Sequence, residues 1–73
     1  MDAAVVEPAI KAYLNEIRQR LDEAARIAKA ADVCAQAVSP DEAVTVALDI
    51  EQLCYEATRL LDAAGLINRL PKE

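Results

Sequence analysis

Histidine, phenylalanine and tryptophan are absent from this chain, and two tyrosines make up all of its 3% aromatic content. Without histidine there is no side chain that titrates unaided near neutral pH and no imidazole to bind a metal. Two cysteines in 73 residues are too few for a zinc site or a disulfide scaffold. Carboxylates alone do not make a di-metal bundle centre, which adds Glu-x-x-His pairs directed into the core. A single glycine leaves no Gly-rich phosphate loop, and no serine or cysteine is set beside a base. The reading is a non-enzymatic protein with no cofactor and no metal.

Other absences bear on partners and place. No apolar run approaches the roughly 20 residues of a membrane span, and Met1 is followed by Asp2 with no basic leader, so a cytoplasmic protein away from membranes is expected. A net charge of −5 disfavours a phosphate backbone or an anionic lipid surface as partner. Arg18, Arg20, Arg26 and Lys29 are interleaved with acids and form no basic stripe.

What the chain does have is aliphatic residues, alanine above all, within a hydrophobic fraction of 55%. Ser39-Pro40-Asp41-Glu42 is a helix start: Ser at the N-cap, Pro where a missing N–H costs nothing, and Glu three residues on, able to reach back to the cap. Upstream, apolar positions step by 4 and 3 through Ile10, Leu14, Ile17, Leu21, Ala24, Ala28, Ala31, Ala35 and Val38, a heptad seam flanked by Tyr13, Ile27 and Cys34 and interrupted by Arg20. Downstream, Ala43, Ala47, Ile50, Cys54, Ala57, Leu61 and Ala64 repeat it, flanked by Val46, Leu53 and Leu60. Pro8 sets the expected start of the first helix, and Gly65, as a left-handed residue just past the end, sets the stop of the second. The expected organisation is one domain, 1–73, with helix 1 at about 8–37, helix 2 at about 40–64 and a tail at 66–73 whose last residues fray.

The fold class expected is all-α: a two-helix antiparallel hairpin that dimerises into a four-helix bundle. Folding about Ser39 pairs positions whose numbers sum to about 78, so that Leu14 meets Ala64, Leu21 meets Ala57 and Ala28 meets Ile50. One layer between two helices leaves Ile27, Val46, Leu53 and Leu60 half exposed, and these are the candidate homodimer interface. A second stripe, Val44, Leu48, Tyr55 and Leu66, is a candidate contact surface for another protein, with Leu48 and Tyr55 its largest members short of the tail. Cys34 and Cys54 read as small hydrophobes too far apart along the hairpin to form a bridge. The function expected is that of a small homo-oligomeric adaptor or regulatory subunit acting through protein–protein contacts. The alternative is a nucleic-acid-associated regulator of the dimeric four-helix-bundle kind.

Overall fold

The computed structural model describes residues 2–71, and these are all-helical apart from short junctions: α1 runs Ala3–Ala37, α2 Pro40–Ala47 and α3 Asp49–Asn68. Met1, Lys72 and Glu73 lie outside the described residues, as does the fraying expected of the last two. α1 packs along both α2 and α3, so the chain doubles back at Val38-Ser39 into a rod of 56 × 14 × 10 Å. Its radius of gyration, 16.8 Å, far exceeds the roughly 11 Å of a compact chain this long.

The turn forms for the expected reason, in part. Ser39 takes an extended conformation and its hydroxyl oxygen accepts the Glu42 N–H at 3.1 Å, while Pro40 opens α2 and Asp41 and Glu42 place acid in its first turn. The reciprocal half of the box is replaced: the Ser39 N–H donates to the Cys34 carbonyl at 3.0 Å, as does the Val38 N–H at 2.8 Å. α1 is thus closed by the same two residues that start α2.

Both outer helix boundaries differ from expectation. α1 begins at Ala3 because Asp2 caps it, its carboxylate accepting the Ala4 N–H at 3.0 Å and its carbonyl those of Val5 and Val6. Pro8 therefore sits inside the helix, where it forfeits one backbone bond. The first turns hold nonetheless because Val6 is completely buried, the only large side chain that is among the described residues. At the other end Gly65 is helical, with no positive φ, and α3 continues one turn past it to Asn68. Ile67 is half-buried there, and the Arg69 N–H and guanidinium Nε both donate to the Gly65 carbonyl at 3.2 Å. Burial of one more apolar residue and these terminal bonds outweigh the conformational penalty of a helical glycine.

The second arm is interrupted at Leu48. Its N–H donates to the Thr45 carbonyl and its carbonyl accepts from Glu51, both three residues away rather than four. The Thr45 hydroxyl meanwhile donates to the Asp41 carbonyl at 3.4 Å. Such competition from a short β-branched side chain tightens a helix locally, and the two pieces remain one rod with a tight turn in it.

Facing positions define the seam. Ala24, Ala31, Ala43, Ala57 and Ala64 are buried, with Ile10, Ile17, Ile50, Leu53 and Leu60 half-buried around them. The register is close to the one expected: Arg20 opposite Glu56 gives a sum of 76, and Ile17 beside Leu61 gives 78. The rotation of the helices is not. Leu14, Leu21, Ala28, Cys54 and Leu61, expected to point inward, are exposed. Two strips of equal heptad spacing compete for the seam, and the alanine-centred one wins because it lets the backbones close and brings Arg20, next to Leu21 in sequence, to an acidic partner across the hairpin.

Helical Gly65 has room for a side chain. A Cβ at this position would meet only the Arg69 guanidinium, at 3.4 Å, so Gly65→Ala should raise stability by about 0.5–1 kcal/mol in urea melts. A loss of that size would instead place Gly65 in the left-handed conformation of a helix stop.

Candidate interaction surface

The hairpin's two flanks are chemically different. Across one of them Arg20 reaches from α1 to α3, its Nε donating to Glu56 Oε1 at 3.0 Å while its Nη1 holds Glu16 Oε2 at 2.7 Å and the Glu16 carbonyl at 3.1 Å. Gln52 Nε2 donates to the second Glu56 oxygen at 2.9 Å. Four side chains on two helices therefore share one polar network. Glu56 is held below the ordinary glutamate range, first by the Gln52 hydrogen bond and then by Arg20, and Arg20 is raised, chiefly by its hydrogen bond to Glu16. Sequence alone reads Arg20 as a break in an apolar stripe. The one available signal was that this break falls opposite an acid in the hairpin register.

The candidate interface residues fall as follows. Ile27, Leu53 and Leu60 are half-buried along the seam, on the side where the Arg20 network lies, and Val46 is 39% exposed. Leu48 and Tyr55 are exposed on the outer face of the second arm with Val44 and Leu66. There a shallow hollow of about 410 Å³ is lined by Leu48, Glu51, Gln52 and Tyr55 at the helix interruption. Arg59 lies over the Tyr55 ring, 5.7 Å from its centroid, and also pairs with Asp62. This cation–π contact lies in solvent, since Tyr55 and Arg59 are both exposed.

The opposite flank carries no charge at its centre. Ile17, Leu21, Cys54, Ala57, Thr58 and Leu61 line an apolar groove of about 230 Å³ between α1 and α3. Leu14, Leu21 and Leu61 along it are 51%, 48% and 58% exposed. At 100° per residue Leu14 and Leu21 lie about 100–120°, close to a third of a turn, from Arg20, which is why the two flanks do not mix. Both cysteines are free, Cys34 half-buried and Cys54 exposed in this groove, where a seam position inside the hairpin was expected.

Surface ion pairs elsewhere follow helical spacing. Glu16 pairs with Arg20 at i,i+4 and Arg26 with Glu23 at i,i+3. Among the described residues no group of three or more potential ligands could hold a metal ion, and no helix is long and apolar enough to cross a membrane. The chain matches no family model, no curated protein and no solved structure.

The polar network titrates in a defined direction. Because folding lowers the Glu56 pKa, its contribution to stability is complete above the ordinary value of 4.5 and is lost as pH falls through the folded value; Arg20 stays charged throughout. Thermal melts from pH 6 down to 3 should therefore fall more steeply for wild type than for Glu56→Gln. Parallel acid limbs would show that the bridge adds nothing in solution.

Proposed function

We propose that this chain is a small, non-enzymatic, homo-oligomeric helical protein that acts through protein–protein contacts as an adaptor or regulatory subunit, two hairpins joining into a four-helix bundle. The observation that carries the reading is surface. The chain exposes 5302 Å², whereas a compact monomer of its mass exposes about 4,400 Å². Much of what is exposed is aliphatic: Leu14, Leu21, Leu48, Leu61 and Leu66 are each about half accessible or more. Leu14, Leu21 and Leu61 share one flank and Leu48 and Leu66 lie on the outer face, and apolar patches of this kind on a small protein mark contact sites.

Self-association follows from size. Two helices bury alanine and little else, and so small a core does not outweigh the entropy of ordering some 65 residues, taken at about 1–2 kcal/mol each for the backbone. A second copy supplies the missing layer. In this reading the outer stripe of Val44, Leu48 and Tyr55 remains free for a different protein partner, and a cytoplasmic location suits an acidic, histidine-free chain with reduced cysteines.

Light scattering behind a sizing column tests the proposal. At micromolar concentration the particle mass should be about twice the 7.9 kDa of one chain, or a multiple of that. A folded, cooperatively melting particle of 7.9 kDa would contradict it.

A further inference from the structure

We infer that two copies of this chain join through the groove flank, the strips of Leu14 with Leu21 on α1 and Cys54 with Leu61 on α3, and not across the flank closed by Arg20 and Glu56. The inference deepens the self-association proposed above and rests on it. Three observations lead to it.

The first is where large apolar groups are left in water. Ile27, Leu53 and Leu60 are already half-buried within one hairpin, whereas Leu14, Leu21 and Leu61 are about half exposed and share one side of the rod. The second is charge. Docking on the other flank would cover Arg20, Glu16 and Glu56 and strip water from groups whose hydrogen bonds are only partly satisfied by one another. The groove is lined by uncharged side chains alone, with Thr58 its only hydroxyl.

The third is the match to a second copy. Leu14 and Leu21 are seven residues apart, as are Cys54 and Leu61, the spacing at which helices of a bundle seat side chains in the gaps of a neighbour. A two-fold axis through the groove sets each hairpin's leucines against the same strips of its mate, so one register satisfies both copies. The elongated hairpin leaves about 900 Å² more surface in water than a compact chain of its mass, spread over the whole rod, and a second copy laid along one flank covers part of it.

Cys54 is a built-in reporter, since it is exposed in the single hairpin and central to the proposed interface. In a Cys34→Ala background, the alkylation rate of Cys54 in the associated protein is compared with that of a cysteine introduced by Val44→Cys, on the outer face, with Cys54→Ala. Cys54 should react at least about ten-fold more slowly, because association alone can cover it. Leu21→Asp should weaken association by about 100-fold or more, and Val44→Asp should leave it within a few-fold of wild type. Equal alkylation rates in a protein that does self-associate would overturn this choice of face and leave self-association standing. A wild type that stays monomeric and folded at every concentration would remove both. Where Leu21→Asp fails to fold, the alkylation comparison still decides.

Discussion

Two helices packed side by side share a single layer of side chains, and in this hairpin the middle of that layer is alanine. Ala24, Ala31, Ala43, Ala57 and Ala64 are buried, and among the described residues only Val6 of the larger side chains is fully enclosed. Close approach of the backbones follows, and with it good dispersion contacts along the rod. The same closeness excludes leucine from the middle of the seam. Leu14, Leu21 and Leu61 are pushed to one side and remain in solvent. A thin core and an apolar flank are thus two results of one packing choice.

Rotation about the helix axes is set at Arg20. A guanidinium that pairs with Glu16 on its own helix and Glu56 on the other defines which way α1 faces α3, while the alanine strip is tolerant because its residues are nearly interchangeable. Polar residues in an apolar seam commonly fix register at some cost in stability. Here the pair also makes the two flanks unlike, one bridged by charge and one open and apolar. The proposed dimer uses the open one.

Much of this was legible in the residues and some was not. The Ser39 cap, the heptad steps and the register near 78 could be read directly, because caps and periodicity are local. Which of two heptad strips faces inward could not, since Leu14-Leu21 and Ile17-Ala24 have the same spacing and differ only by rotation. Arg20 held the answer, but as a lone cation in an apolar stripe it resembles an interruption until Glu56 is set opposite it. The helix ends failed for a different reason. Pro8 and Gly65 are strong local breakers, and both were overruled by neighbours: Asp2 and Val6 at one end, Ile67 and Arg69 at the other. Local preference costs about 1–3 kcal/mol at such positions, which one cap and one buried side chain can offset. Of the interface residues named from sequence, Ile27, Leu53 and Leu60 are half-buried beside the seam and Val46 is 39% exposed, so the rotation bears on which face is left outermost.

The central claim is that a hairpin with an alanine core reaches a stable fold only together with a second copy. The melting temperature as a function of protein concentration tests it most directly, because unfolding that is coupled to dissociation must obey mass action. From about 1 μM to 100 μM the melting temperature should rise by roughly 4 °C per ten-fold step for a dimer of this size. A melting temperature that does not change over that range, with the transition still cooperative, would mean that the single hairpin is stable by itself and would contradict the account.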